Sequence, residues 1–174
     1  MHSRLSPATS TKTLGDPSLE GYQKEASLLR LFCFVNYNMK SWVYKRENCK
    51  SHQIKILSKD IAGMSKGSKM LIANTKIFDE FINKIPRGNF VEIKEIRNTL
   101  AKQFDCDVTC PLTTGIFIRI VSEAAYEEYK TDKNLEDITP FWRSVDPKSN
   151  LAKKLDCGVD FIKTQQSKEN IIVN

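Results

Sequence analysis

Residues 86–104, "PRGNFVEIKEIRNTLAKQF", decide the fold that we predict for this chain. Before them, apolar residues recur at helical spacing from Ile77 to Ile85, and the Pro-Arg-Gly run that begins the stretch ends that helix. Phe90 and Val91 then predict a short strand, and a second helix follows. The apolar face of that helix carries Ile93, Ile96, Leu100 and Phe104. The stretch therefore predicts helix, turn, short strand, helix.

Residues 111–130 form the next predicted element. The segment "GIFIRIV" has strong β propensity, but apolar residues recur at every fourth position from Leu112 to Ala124, which favours a helix. Pro111 suits a first turn, and Thr109 or Cys110 could cap it. We therefore predict a long helix from about 111 to 130. Its outward face would carry small residues and one arginine, namely Thr114, Gly115, Ile118, Arg119 and Ser122.

The segment "ITPFWRSVDPKSNLAKK", residues 138–154, predicts a hairpin-like unit. It offers an extended run, a turn at residues 146–150, and a basic return at Lys153 and Lys154. A last helix is predicted over 159–168. This order of elements predicts a mainly α fold with a small β wing, the winged helix-turn-helix, over residues 74–170.

Two segments precede that domain. Residues 1–38 begin with a run rich in Ser, Thr, Pro and Gly, which predicts disorder or a non-native extension, with Met39 as the start of the functional chain. Residues 39–73 predict an arm that drapes over the domain, with one brief strand at Ile54 and Ile56.

The charge of the chain, +6 in total, is unevenly placed. Residues 39–84 hold ten Lys or Arg against four acids, whereas residues 85–174 hold thirteen against fourteen. A basic arm followed by a near-neutral domain suits a polyanion partner, because each phosphate that is neutralised releases counterions. A solvated Lys-rich face that binds nothing is the alternative.

The cysteines and the hydropathy pattern exclude several classes of protein. The five cysteines show no paired spacing, and His2 and His52 are the two histidines, so we predict no metal site, no cofactor and a reduced, intracellular protein. No apolar run approaches the roughly 18 residues that a membrane span needs. We expect a monomer without a membrane partner, in the cytoplasm or, in a eukaryote, the nucleus.

The chain resembles a known family over about residues 74–170: the DNA-binding C-terminal domain of alkylguanine-DNA alkyltransferases and their alkyltransferase-like relatives. The resemblance rests on the "IPRGNFVEIKEI" segment, the helix that Pro111 begins, the Pro-x-x-Arg of Pro140 and Arg143, and Glu169. The chain is more similar still to a branch of small proteins in this superfamily that lack the catalytic cysteine. The shared features are Lys40-Ser41-Trp42, Met64-Ser65-Lys66, "CP-TTGIF" at residues 110–117 and "ITP-WR" at residues 138–143.

The resemblance implies that the site has lost its reaction. In the active enzymes the motif is Pro-Cys-His-Arg: the cysteine takes the alkyl group from guanine O6 of a flipped base, and a histidine, a water and a glutamate activate it. Aligned on Pro140 and Arg143, the cysteine position is Phe141 and the histidine position is Trp142. The chain is therefore predicted not to be an enzyme.

Of the other functional positions of the family, some match this sequence and others do not. Glu169 and, with a shift of one residue, Asn134 match supporting groups of the family. The tyrosine that presses on the phosphate of the flipped nucleotide aligns with Ile93, and the arginine that fills the vacated stack aligns near Gly115. Damage recognition by this chain is therefore not implied by the resemblance.

These arguments give two sets of candidate residues. The DNA-binding set is Thr113, Thr114, Arg119, Ser122 and Arg143, and the pocket set is Pro140, Phe141, Trp142, Asn134 and Glu169. Within the first set, the threonines could instead cap the helix, and Arg143 could hold the wing rather than a phosphate. Within the second, Phe141 and Trp142 could form an aromatic wall or belong to the core, and Trp142 has the better claim to a pocket.

Three functions stay open at this stage. The first is a catalytically inactive, alkyltransferase-like protein that binds double-stranded DNA, linked to DNA repair through a partner that the sequence does not identify. The second is a winged-helix module for protein interaction, with the basic arm as its contact. The third is a cryptic alkyltransferase that uses Cys110, because a thiol at a helix N-terminus has a lowered pKa.

Overall fold

The structure, a computed structural model, describes residues 41–60, 63–131 and 133–173. The predicted extension at 1–38 lies outside these residues. From Ser41 onward the chain belongs to one compact unit. Its elements are α1 (Trp42–Glu47), β1 (Gln53–Ile56), β2 (Lys69–Ile72), α2 (Thr75–Asn83), α3 (Ile93–Gln103), β3 (Val108–Thr109), α4 (Pro111–Lys130) and α5 (Gly158–Lys168). Three short 3-10 turns, Leu135–Asp137, Phe141–Arg143 and Ala152–Lys154, join α4 to α5. The fold is therefore mainly helical with a small sheet.

The sheet has three strands in the order β1-β2-β3. β1 pairs with β2 in antiparallel fashion, and β2 pairs with β3 in parallel through Met70 beside Val108 and Leu71 beside Thr109. The strand expected at Ile54 and Ile56 is confirmed as β1. Because β3 leads directly into α4, the sheet fixes where α4 starts: Cys110 donates its N–H to the carbonyl of Leu71.

The helices predicted from apolar spacing are present. α4 begins at Pro111 and ends at Lys130, as expected, with Cys110 at its N-cap position and Pro111 in its first turn. The helix predicted over 159–168 is α5, which begins one residue earlier at Gly158. α2, α4 and α5 bury their apolar sides around one core that includes Phe78, Ile118, Phe141 and Ile162.

The predicted outward face of α4 is wrong at three of its five residues, whereas Gly115 and Arg119 reach the surface as predicted. Thr114, Ile118 and Ser122, expected on the outward face, are 0–1% exposed, whereas Leu112 is 73% and Ile116 50% exposed. The Thr114 hydroxyl donates to the carbonyl of Cys110 at 2.7 Å, and the Ser122 hydroxyl to that of Ile118 at 2.9 Å. Because each hydroxyl finds its partner one turn back in the same helix, a polar side chain can be buried at little cost.

The hairpin-like unit predicted over residues 138–154 has no strand: that described segment consists of turns, two 3-10 helices and irregular backbone. The Ser144 and Ser149 hydroxyls bond to the nearby carbonyls of Phe141 and Asp146, and Pro140 and Pro147 lack the N–H that a strand ladder needs. The strand expected at Phe90 and Val91 is likewise not formed. Val91 instead donates its N–H to the carbonyl of Arg143 at 2.9 Å.

Helix α1 is fastened to α4 by a buried ion pair. Arg46 donates from Nη2 to Oε1 of Glu128 at 2.8 Å and from Nη1 to Oε2 at 3.1 Å, and Lys133 adds a contact to Oε1 at 2.8 Å. The backbone N–H of Val43 donates to the carboxylate of Glu127. The segment expected as a draped arm thus contributes a helix and two strands that pack with the rest of the domain.

No helix among the described residues is both long and apolar enough to cross a membrane.

Candidate functional site

Residues 140–143, the Pro-Phe-Trp-Arg of the sequence, form a 3-10 turn whose two aromatic side chains are buried. The ring of Phe141 is fully buried and stacks on Phe161 of α5, with ring centroids 6.1 Å apart and planes inclined by 13°. The ring of Trp142 meets Phe141 edge-on at 5.6 Å. Phe141 therefore belongs to the core, and Trp142 lies at the border between the core and a cavity.

Glu169, at the C-terminal end of α5, collects the polar groups of this turn. Arg143 donates to its carboxylate from Nε at 2.8 Å and from Nη2 at 3.0 Å, and the indole Nε1 of Trp142 donates to Oε1 at 2.9 Å. The backbone N–H of Gly88 supplies a fourth donor at 3.2 Å. One carboxylate thus joins the turn, the end of α5 and the residues that follow α2.

These donors decide the ionisation of Glu169. Burial alone would raise the pKa of this carboxyl, but the hydrogen bonds from Arg143, Trp142 and Gly88 outweigh it, so the pKa lies below the ordinary glutamate value. Glu169 is therefore a carboxylate at neutral pH. Because all four bonds are donated to it, it serves as an anchor and not as a proton donor.

Further hydrogen bonds hold the backbone of the turn. The side-chain amide of Gln166 donates to the carbonyls of Trp142 at 2.7 Å and Val145 at 3.1 Å, and Arg143 donates from Nη1 to the carbonyl of Ile85 at 2.7 Å. Gly88 has a φ of +82°, and a Cβ there would lie 3.3 Å from the carbonyl oxygen of Glu169. The turn after α2 therefore needs glycine both for its backbone conformation and for this close approach.

A cavity of about 380 Å³ opens beside the turn. Its lining is Asn83, Arg87, Leu135, Glu136, Ile138, Pro140, Trp142, Arg143, Gln165, Lys168 and Glu169. Of the predicted pocket residues, Pro140, Trp142 and Glu169 line it. Phe141 does not, because its ring points into the core, and Asn134 does not, because it is exposed and bonds to Asp137.

The predicted DNA-binding residues occupy different environments. Thr114 and Ser122 are buried within the domain, so they are not available as surface contacts. Arg143 is engaged by Glu169, and Thr113, partly buried, bonds back to the carbonyl of Cys110. Arg119 is the member of the set whose side chain reaches the surface, with 40% exposed.

Arg119 lies in a basic cluster that the sequence arguments missed. Its guanidinium carbon lies 5.5 Å from the ring centroid of Trp42 in α1, and Lys45 Nζ lies 3.9 Å from that same centroid. Arg119 also donates from Nη2 to the carbonyl of Lys154 at 3.2 Å and pairs with Glu123 at 3.5 Å. We call Trp42, Lys45, Arg119 and Lys154 the Trp42 cluster. The feature of the sequence that could have indicated this cluster is an aromatic residue close to basic residues in the arm.

The described cysteines, Cys49, Cys106, Cys110 and Cys157, lie outside the lining of the cavity beside Trp142. Cys110 occupies the N-cap position of α4, and its thiol makes no capping hydrogen bond. Burial, together with the nearby Glu123 charge, raises the pKa of Cys157 to about 12, so that thiol stays protonated at neutral pH. No group of three His, Cys, Asp or Glu side chains among the described residues is placed to hold a metal ion.

The wall of the cavity offers side chains that can bind a molecule. Its wall offers an indole, a paired arginine and glutamate, and free polar groups, and it holds no thiol and no imidazole. Comparisons of the chain with protein-family models, with curated proteins and with solved structures found no match. The resemblance to alkyltransferases therefore stays a prediction, and the function has to be argued from the site.

Proposed function

We propose that the chain is an alkyltransferase-like, winged helix-turn-helix protein that binds double-stranded DNA without transferring alkyl groups. The observation that carries the proposal is the meeting of Trp142 and Arg143 with Glu169 beside the cavity. The resemblance assigns the proline, arginine and glutamate to the frame of a repair site. Arg143 contacts Glu169, and Pro140 lines the same cavity, which supports the proposal; Phe141 and Trp142 occupy the positions that the resemblance aligns with the cysteine and the histidine.

The order of the helices supports the same proposal. α3 and α4 are joined by the short segment that contains β3, and α4 is the recognition helix of the proposed helix-turn-helix. The Thr109 hydroxyl donates to the carbonyl of Arg97 at 2.9 Å and so ties the start of α4 to α3. The 3-10 turns of residues 138–154 take the place of the wing.

The surface of α4 gives the proposed DNA contact. Leu112, Gly115, Ile116 and Arg119 lie on one side of the helix, and the Trp42 cluster lies at the Arg119 end of that side. Gly115 has no atom within 4 Å of its Cβ position, so the backbone there is open to a close partner. In this proposal, Lys45, Arg119 and Lys154 neutralise phosphates while α4 lies against the groove.

A second function is favoured by one observation on the same helix. Leu112 and Ile116 are 73% and 50% exposed, and adjacent exposed aliphatic side chains are typical of protein-binding surfaces. The winged-helix module for protein interaction is therefore the alternative proposal. It predicts binding that changes little with salt, since apolar contacts release no counterions.

A duplex titration at two salt concentrations tests the proposal. We expect a fluorescently labelled plain duplex to bind at about 50 mM salt and to lose about fortyfold in affinity at about 200 mM, because three phosphate contacts give a slope of about −2.7. Absence of binding at the lower salt concentration would reject the DNA proposal.

Intact-mass measurement tests the absence of alkyl transfer. After long incubation with a duplex that contains an alkylguanine, we expect the mass of the protein to be unchanged. An alkyl adduct mapped to Cys110 would instead establish the cryptic transferase.

Trp142→Phe serves as the matched variant for the duplex titration. It removes the indole N–H that donates a hydrogen bond to Glu169, and it keeps an aromatic ring in place.

A further inference from the structure

The cavity beside Trp142 contains a buried polar side chain that has no partner. Gln165 lies on α5 and is 5% exposed, and its side-chain amide forms no hydrogen bond with any described residue. The amide atoms are not sealed in the core, because Gln165 is not among the described residues that have a fully buried side-chain atom without a partner; they are open to the cavity. The neighbouring Gln166 shows the contrast, since its amide bonds to two carbonyls of the turn. Gln165 lines the cavity and can both donate to and accept from a molecule there.

Two cations of the cavity are also uncommitted. Arg87 and Lys168 line it and form no ion pair with the described residues, whereas Arg143 is satisfied by Glu169. Three cations (Arg87, Arg143 and Lys168) face two acids (Glu136 and Glu169), so the lining carries one excess positive charge. The cavity therefore suits an occupant with a single negative charge.

The apolar residues of the cavity wall indicate which uncharged group the occupant carries. Leu135, Ile138 and Pro140 give it aliphatic surface, and Trp142 is its one aromatic residue. A nucleobase is held by stacking against aromatic faces, and the ring of Trp142 is 3% exposed with Phe141 and Phe161 against it. An aliphatic group matches this wall better than a base does.

We propose that this cavity binds an N-acylated aliphatic amino acid through its free carboxylate. Arg87 and Lys168 take the carboxylate, the Gln165 amide pairs with the amide group, and the aliphatic side chain lies against Leu135 and Ile138. The volume of about 380 Å³ falls within the range of small-molecule sites. A free N-acyl amino acid and the C-terminal residue of a protein chain share this chemistry. The proposal goes beyond DNA binding and does not depend on it.

Chemical-shift titration of the full chain with N-acetyl-L-leucine tests the proposal. We expect saturable shifts of the Gln165 side-chain amide and the Trp142 indole signals. N-acetyl-L-leucinamide, which lacks the carboxylate, is expected to bind at least about tenfold more weakly, because it loses a charge-assisted contact. Equal binding of the two probes, or no saturable shift, would overturn the proposal. So would binding of guanosine monophosphate in place of N-acetyl-L-leucine.

Three variants assign the contacts. Gln165→Met keeps the length of the side chain but removes its amide, and Lys168→Met removes a charge from an exposed position of the cavity lining. We expect each to weaken binding about five- to tenfold. Lys163→Met, an exposed residue of α5 outside the lining, is the control and should bind as the wild type does. Wild-type affinity in both Gln165→Met and Lys168→Met would refute the assignment.

A tetrapeptide that ends in leucine separates the two sources of this chemistry. If it binds more tightly than N-acetyl-L-leucine, the occupant is the C-terminus of a protein chain. If the two bind equally, the cavity recognises the terminal residue alone and a free N-acyl amino acid suffices. Both results uphold the proposal, and DNA binding is tested separately by its salt dependence.

Discussion

Two Arg–Glu pairs hold this domain together, and they differ in burial and in what surrounds the carboxylate: Arg46–Glu128 is buried, and Arg143–Glu169 is partly buried. Glu128, which fastens α4 to α1, is contacted by two cations, Arg46 and Lys133. Glu169, which fastens α5 to the 140–143 turn, is contacted by one cation, Arg143, and by the neutral donors of Trp142 and Gly88. The first carboxylate keeps a cationic partner when one is removed, and the second does not.

The difference indicates that Glu128 joins two helices, whereas Glu169 also determines the form of the cavity wall. At Glu128 every side-chain donor is a cation, with two hydrogen bonds from Arg46 and one from Lys133. At Glu169 the neutral donors fix the direction of the indole and of the backbone at Gly88, so the carboxylate sets the form of the cavity wall. We expect substitutions at the second pair to have the larger effects.

The largest effect is expected for Arg143→Met. The substitution leaves the Glu169 carboxylate, with 8% of its side chain exposed, without a cation, and we expect it to lower the free energy of unfolding by about 3–5 kcal/mol. Urea denaturation measures the change. The double variant Arg143→Met, Glu169→Gln restores a neutral pair and should recover part of the loss. A single-variant loss below about 1 kcal/mol would contradict the partly buried pair.

A smaller effect is expected for Arg46→Met. Glu128 retains Lys133 at 2.8 Å, so we expect a loss of about 2 kcal/mol in the same measurement. Adding Lys133→Met to this variant should cost more than Lys133→Met costs alone, because the two cations share one carboxylate. If Arg46→Met proves more damaging than Arg143→Met, the contrast between the two pairs fails.

The smallest of these effects concerns acid stability. The pKa of Glu169 in the folded protein lies below the ordinary value of about 4.3, so the unfolded chain binds the proton more readily. The stabilisation is therefore complete above about pH 5 and is lost as the pH falls below about 4. Glu169→Gln should flatten this decline, measured as the melting temperature between pH 5 and pH 3. A decline as steep as in the wild type would show that Glu169 does not contribute to it.

The sequence predicted the helices well and their surroundings poorly. The spacing of apolar residues predicts both ends of α4 correctly. It also predicts that Leu112 and Ile116 are buried, whereas both are exposed in the structure. The buried Thr114 and Ser122 satisfy their hydroxyls within α4, and polarity alone does not reveal such a bond. A periodic pattern therefore predicted the element and not its orientation.

The candidate site was predicted in part. The 140–143 segment and Glu169 were singled out together, and the structure brings them into contact. Gln165 and Arg87 were not, because each becomes a cavity residue through packing between distant segments. The same holds for the Trp42 cluster, where Arg119 meets an aromatic ring 77 positions earlier in the chain. Contacts of this kind depend on tertiary structure that local patterns do not encode.

The central claim is that the Trp42 cluster side of α4 binds DNA through phosphates, and the slope of affinity against salt concentration tests it most directly. The double variant Lys45→Gln, Lys154→Gln removes the charge of Lys45, which lies over the Trp42 ring, and the charge of Lys154, whose backbone carbonyl accepts from Arg119. Lys163→Gln on α5 is the matched control. We predict that the magnitude of the slope falls by about two in the double variant and stays unchanged in the control. Equal slopes for the wild type and the double variant would contradict the claim.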